Sequence, residues 1–247
     1  MSLTQDVANV VQAANNLTSE VTNKMAQIDQ RVDDAEGEYQ GLIAGIRSDF
    51  PFYRVSKNQE LKVAGVLTPG TAGTPDGYVN RNAAYHTCEI VAWTQSGVLP
   101  ANKDPEIQAM FNDIKGGVPQ HNYPDFAILR VSTSIDAVGT NGQFYTIYQG
   151  PIPNGIPYSI GCFIKAEIGD VEFGRPGSGY GVPADGKWHE RILRFDQTSG
   201  GTSYDFGPHL YVAPGARALI ALPALVAGKV PDGKWGFFQK PAFEHEG

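Results

Sequence analysis

Residues Val7–Val32 read "VANVVQAANNLTSEVTNKMAQIDQRV", with neither proline nor glycine and with apolar residues three and four apart. Following that spacing outward gives Leu3, Val7, Val10, Ala14, Leu17, Val21, Met25, Ile28, Val32, Ala35, Tyr39, Leu42 and Ile46. The steps alternate between four and three residues, a heptad repeat, and two fours fall together once, at Val21 to Met25. The core position expected there is Lys24, so the stutter steps around a charge. Two apolar positions in seven make a seam narrower than the face of a helix that lies on a globule. The span from Leu3 to Ile46 predicts roughly 65 Å of helix at about 1.5 Å per residue. A lone helix of this kind is marginal in water and must draw its stability from neighbours. A coiled coil of sister chains in parallel is therefore expected over 1–48, with the bodies clustered at one end. A helical hairpin packed on the body is the alternative. Val, Ile and Leu occur at both core positions, which does not select two strands cleanly and is compatible with three. Gly37, Gly41 and Gly45 weaken the last turns, so the helix is expected to end between 36 and 47.

Past residue 48 the composition changes. Most of the 29 glycines and all 17 prolines of the 247-residue chain lie there, every few positions, as in short strands joined by tight turns. The formal charge is −7 with no basic run, which argues against nucleic acid and against an anionic membrane surface. No stretch approaches the ~20 apolar residues of a membrane helix, so no membrane insertion is expected. The start "MSLTQDVANVV" has no basic or apolar leader region, so no signal peptide is expected. Cys88 and Cys162 sit in apolar strand-like runs and read as buried reduced thiols.

The body reads as two parts and a tail. In 49–137, a small α+β domain, "LKVAGVL", "YHTCEIVAWT" and "FAILRVSTS" are strands. "DPEIQAMFNDIKGG" between them is a helix capped by Asp104, started by Pro105 and stopped by Gly116-Gly117. Its apolar face is Ile107, Met110, Phe111 and Ile114. In 138–230, strand-length runs at roughly 8–12-residue spacing predict a β-sandwich. The 231–247 tail carries Trp235, Phe237, Phe238 and Phe243, too many aromatics for a free segment. It is expected to seal a subunit interface in preference to packing on its own chain. The fold class is thus mainly β with an N-terminal coiled coil, a small α+β middle domain and a C-terminal sandwich.

Three runs carry a family resemblance: "YSIGCFIKAEIGDVE" (158–172), "DGKWHERILRF" (185–195) and "APGARALIALPALVAG" (213–228). Together they resemble the carbohydrate-binding-module-like jelly rolls of bacteriophage tail-fibre and spike proteins. The amino-terminal "SLTQDVANVVQAANNLTSEV…KMAQIDQRVDD" is similar to phage-fibre coiled coils. The resemblance implies a homotrimeric virion fibre that meets other virion proteins and host cell-surface carbohydrate, assembled in the host cytoplasm. A connector, collar or head fibre docking other virion proteins is the alternative it leaves open.

Sugar recognition needs aromatic faces to stack on pyranose rings, and the body offers Trp93, Trp188, Trp235, Tyr180, Tyr204 and Tyr211. Tyr180 lies in a Gly-rich loop and Tyr204 follows "TSGGTS", while Tyr211 lies in a strand-like run and Trp188 alternates with Glu190 along another, which also fits a core position. These four, Tyr180, Tyr204, Trp188 and Tyr211, are the candidate glycan contacts. Asp170, Glu172 and Asp185 could lend oxygens to a structural Ca²⁺, but no D-x-D-x-D-G loop is present and no cofactor is expected. "GRPGSGYG" (174–181) lacks the Lys-Ser/Thr end and following helix of a phosphate-binding loop. His86 with Glu89, and His121 with Asp125, read as core or solvated pairs. No G-x-S-x-G, metal-spaced His pair or internal repeat occurs, so catalysis is not expected.

Overall fold

The computed structural model describes residues 3–49, 52–137, 145–153, 157–174, 180–196 and 204–240, without the side chains of 42–49, 145, 151–153 and 204–206. The chain divides into two compact units, Met1–Pro51 and Phe52–Gly247.

Helix α1 spans Leu3–Asp49 in one piece. Gly37, Gly41 and Gly45 do not stop it, against the expectation of an end before 48. Every described side chain along it is exposed, and its large apolar residues range from 49% exposure at Val21 to 81% at Leu3. Gln5 donates to Asn9, Gln12 to Asn16 and Gln30 to Asp34, four residues apart. Such pairs contribute about 0.2–0.5 kcal/mol each, whereas ordering a backbone costs about 1–2 kcal/mol per residue. Local bonds alone therefore leave this helix short of stability. The stripe residues Leu3 to Tyr39 are displayed as expected, and the side chains of Leu42 and Ile46 lie outside the described residues.

The second unit holds thirteen described strands, numbered along the chain, and one α-helix. One sheet contains β1 (Tyr53–Arg54), β3 (His86–Trp93), β4 (Ala127–Thr133), β7 (Tyr158–Ile168), β10 (His189–Phe195) and β13 (Arg217–Ala227), in the order β10-β7-β13-β4-β3 with β1 beside the end of β13. The other contains β2 (Val79–Asn80), β5 (Tyr145–Tyr148), β8 (Val171–Gly174), β9 (Tyr180–Gly181) and β12 (His209–Val212), in the order β2-β5-β12-β8-β9. A short ribbon pairs β6 (Pro151–Pro153) with β11 (Tyr204–Phe206). All pairings among the described strands are antiparallel. Strands β4, β7, β10 and β13 alternate along the chain with β5, β8 or β9, and β12 of the facing sheet. The two orders, 10-7-13-4 and 5-12-8-9, are jelly-roll connectivity.

The expected boundary at 137/138 falls inside this unit. Strands β3 and β4 from one side of it join a sheet with β13 and β7 from the other, so residues 49–137 do not form a sheet of their own.

The large sheet is buried on both faces. Toward the small sheet, Cys88, Ile90, Leu129, Val131, Ile160, Cys162 and Ile164 meet Ile147, Val171, Phe173, Leu210 and Val212. On its other face, Ala92, Ile128, Phe163, Leu219, Ala221 and Val226 meet helix α2 (Pro105–Lys115) and the tail. Two-sided burial explains the unbroken apolar run of β13, where a one-faced strand would alternate. Helix α2 follows its sequence signals closely. Asp104 accepts from Glu106 N at 2.8 Å, Pro105 opens the first turn, and Gly116 ends the helix with a left-handed φ of 72°. Ile107 and Met110 are buried, with Phe111 and Ile114 partly so. Cys88 and Cys162 are free, buried thiols; burial pushes Cys88 up to about 12, and Cys162 is raised too.

The tail corrects the sequence reading. Trp235 is 1% exposed and Phe238 9%, and both pack with Phe237 against the outer face of the large sheet of their own chain. Intrachain packing therefore takes the aromatics that were expected to seal a subunit interface. Phe243 lies outside the described residues.

Candidate functional site

The edge strand β10 runs along a groove of about 490 Å³ lined by Glu190 to Phe195, Tyr180 and Asp232. Six consecutive strand residues line it because the groove follows the strand's edge, where side chains of both faces come into view. Arg191 faces its register partner Cys162 across the inner side, and its guanidinium Nη2 donates to Gly181 O of β9 at 2.9 Å. That bond ties the rim of one sheet to the rim of the other. The Nε of Arg191 is buried and, among the described residues, has no hydrogen-bond partner. On the outer side, Arg194 donates from Nε to Val230 O at 2.6 Å and from Nη2 to Asp232 Oδ1 at 2.5 Å. Glu190 accepts from the backbone N–H groups of Gly233 and Trp235, at 2.5 and 2.9 Å. Tyr180, paired with Phe173 in β8, stands at the rim with 61% of its surface open.

The groove therefore offers an exposed aromatic ring, guanidinium donors held in fixed directions and a solvent-facing Asp232 carboxylate. Both Glu190 oxygens are taken up by backbone donors, and Asp232 is bonded to Arg194. Chemically, the groove combines a face to stack on with hydrogen-bonding groups beside it.

The four candidate aromatics separate. Tyr180 belongs to the groove. Trp188 does not reach a surface. It is 3% exposed, its indole N–H donates to Glu106 Oε1 at 2.7 Å and its backbone N–H to Asp113 Oδ2 at 2.9 Å. It clamps α2 to the sheet, and Lys165 holds the same Glu106 at 2.8 Å; a ligand cannot stack on it. Tyr211 lies half-buried in a row with His209 and Tyr148; the His209 ring centroid is 6.2 Å from that of Tyr211 and 4.9 Å from that of Tyr148. Tyr204 begins β11, and its side chain lies outside the described residues. Trp93 is half-buried at the end of β3. The sequence reading missed Arg191, Arg194 and Asp232, because nothing local marks β10 as an edge or brings residue 232 beside it.

Three of the other polar groups that the sequence singled out, His86, Asp125 and Asp185, are structural. His86 Nδ1 lies 3.1 Å from Thr133 Oγ1, and burial lowers its pKa. Asp125 accepts from Thr94 Oγ1, Ser96 N and Asn122 Nδ2 at 2.8–3.0 Å and organises a loop. Asp185 accepts from Lys187 N and the His189 ring, both at 3.0 Å. Among the described residues no three His, Cys, Asp or Glu side chains gather as a metal site would need, so Asp170, Glu172 and Asp185 are not brought together as calcium ligands.

His209 gives the domain an acid sensitivity. It is 1% exposed, Nδ1–H donates to Gly207 O at 2.8 Å, and burial depresses its pKa from 6.5 to about 4. Below pH 6.5 the unfolded chain takes up a proton that the folded one refuses. Stability is therefore full above 6.5 and declines as pH falls toward 4, by about 3 kcal/mol in all. Urea unfolding of wild type and His209→Gln at pH 7, 5.5 and 4 should show a steeper acid loss in wild type. Equal slopes would assign the acid loss elsewhere.

No protein-family model matches this sequence, and no curated protein does. One solved structure, a "Carbohydrate binding module family29", aligns with 66% of this chain and 85% of its own length, at 15% identity and a TM-score of 0.21. At that TM-score the jelly-roll assignment rests on the strand orders alone.

Proposed function

We propose that this chain is a non-enzymatic homotrimeric fibre or spike subunit. In this reading α1 forms a coiled coil with its sister helices, and each jelly roll offers the β10 groove to a surface glycan. One observation carries the proposal: a 47-residue helix whose heptad stripe is open to solvent along its described length. A second copy of the same stripe covers such a surface in register, residue for residue. Joining three heads gives weak sugar sites the effective concentration that attachment needs. The Tyr180 ring supports stacking on a pyranose, and the solvent-facing Asp232 carboxylate of the same groove supports accepting a hydrogen bond from a hydroxyl. The engaged oxygens of Glu190 and Asp232 favour binding over hydrolysis, which needs two opposed carboxylates free to exchange protons. The resemblance of both halves to phage fibres supports a virion protein, assembled in the host cytoplasm and used for host attachment.

Glycan-array binding of the intact protein, read beside light scattering, tests this. A trimer that binds an envelope glycan is expected. Tyr180→Ala should weaken binding about 2- to 10-fold per site, as the loss of one stacking face does, with an unchanged melting point. A trimer silent toward every envelope glycan of its host would overturn the attachment role.

A further inference from the structure

The charges beside the stripe carry its alignment further. With Met25, Val32 and Tyr39 at a and Ile28, Ala35 and Leu42 at d, Arg31 falls at g and Glu36 at the next e. In a parallel in-register bundle, a g residue faces the e residue five positions later on its neighbour, which is the spacing from 31 to 36. Arg31 and Glu36 border the same shallow depression on the exposed helix as Ile28, Val32, Ala35 and Tyr39, one on each side of the seam. Neither is spent within its own helix. The residues four before and four after Arg31 are Gln27 and Ala35, and those around Glu36 are Val32 and Gln40. None of these bears a charge; Asp34, three residues after Arg31, accepts from Gln30 instead, and among the described residues neither Arg31 nor Glu36 makes an ion pair.

The opposite arrangement wastes both charges. In an antiparallel overlay of 3–41, residue 31 lies across from residue 13, within "NVVQAANNL" (9–17), which has no carboxylate. The acidic run Asp29, Asp33, Asp34, Glu36 and Glu38 would face residues 6–15, which hold no cation. Arg31 is the one cation between Met25 and Gly41, and parallel alignment alone gives it a carboxylate partner; Lys24, at the g position before Met25, meets Asp29 at e by the same five-residue step.

We infer that α1 docks on second and third copies of itself in parallel and in register, and that Arg31 of one chain pairs with Glu36 of the partner subunit around the bundle to set that register. The inference rests on the self-association proposed above and adds the charge pair that sets its register. An exposed pair adds little affinity, but a parallel bundle slipped by one heptad takes Arg31 off Glu36 in every copy; the slip that hands it Asp29 instead takes that carboxylate from Lys24, so only the in-register bundle forms both contacts.

The test uses the full chain. Glu36→Arg and Arg31→Glu should each lower the helix melting midpoint by roughly 5 °C at low salt, and less at 1 M salt, where the screening length is about 3 Å. The double swap R31E/E36R should recover most of that shift. As a second arm, Leu17→Cys under mild oxidation should cross-link to the same engineered thiol of a sister chain, since the parallel in-register bundle brings the two together whereas the antiparallel overlay of 3–41 sets residue 17 across from residue 27. The buried Cys88 and Cys162 stay silent. Recovery together with cross-linking supports the inference. An intact trimer that fails to cross-link, or in which the double swap is no better than the single ones, overturns it and leaves the trimer standing. A wild-type mass of one chain overturns the trimer itself.

Discussion

On the trimeric bundle proposed above, replacing Val21 and Ile28 together by aspartate is expected to reduce the particle from trimer mass to the 26.6 kDa of a single chain, with loss of most helical circular dichroism. Each apolar core side chain contributes about 1.5–3 kcal/mol when fully buried. Symmetry repeats each change in every chain, so two substitutions remove six such contributions and place six carboxylates in one seam. The helix has little to fall back on. Its side-chain pairs are a few tenths of a kcal/mol each, and Asn9, Asn15, Asn16, Asn23, Gly37 and Gly41 are all poor helix formers. The sandwich should be untouched, since residues 52–247 form a compact unit with their own cores. Two readouts therefore part company: the 222 nm signal collapses while the cooperative melt of the β domain holds its midpoint. A variant that keeps both its mass and its helix would show that the stripe is not the association surface.

The sequence disclosed what was local. Asp104, Pro105 and Gly116 act within a few residues of themselves, so α2 was legible to its ends. The strands of the sandwich were legible from β-branched runs and turn residues, and the helix from its period. What escaped depends on contacts far apart in the chain. Residues 49–137 looked self-contained because their helix and strands are locally complete, yet β4 finds its partner in β13, almost ninety residues on. Trp188 stood among the candidate contacts although its alternation with Glu190 also fitted a core position, and only the fold shows α2 bonded over it. The groove needed Tyr180, Arg191 and Asp232 to meet across three segments, and no spacing encodes that. Trp235 and Phe238 of the tail are buried, but their cover comes from their own chain. The reason is a glycine whose role cannot be seen without the fold.

That glycine is Gly161, in the middle of β7 and opposite Ile192 and Ala224. A Cβ there would stand 2.7 Å from Arg191 O and 2.7 Å from two carbons of the Trp235 indole. The ring lies on bare backbone, filling space that any other residue would occupy. Around it the tail is bonded down at several points. Trp235 Nε1 donates to Leu222 O at 3.0 Å, at the bulge where β13 turns from β4 to β1. The wholly buried Gln59 donates to Leu222 O and Gly236 O and accepts from Phe238 N at 3.0 Å. Glu190 binds the N–H groups of Gly233 and Trp235. Trp235→Ala is therefore expected to cost about 3–5 kcal/mol, a large share of the roughly 5–15 kcal/mol that holds a domain together. It deletes the ring and leaves a cavity under Phe238, which meets it edge-on at 5.0 Å. Gly161→Val should do comparable harm from the other side. The contact with Arg191 O is with backbone and cannot relax without parting β10 from β7. Thermal melts and light scattering read together decide between this latch and a subunit seam. If the tail closes its own domain, both variants lose the β-domain midpoint by many degrees while the α1 bundle still holds the chains together. If the tail instead sealed an interface, the mass would fall and a diluted single domain would melt where wild type does.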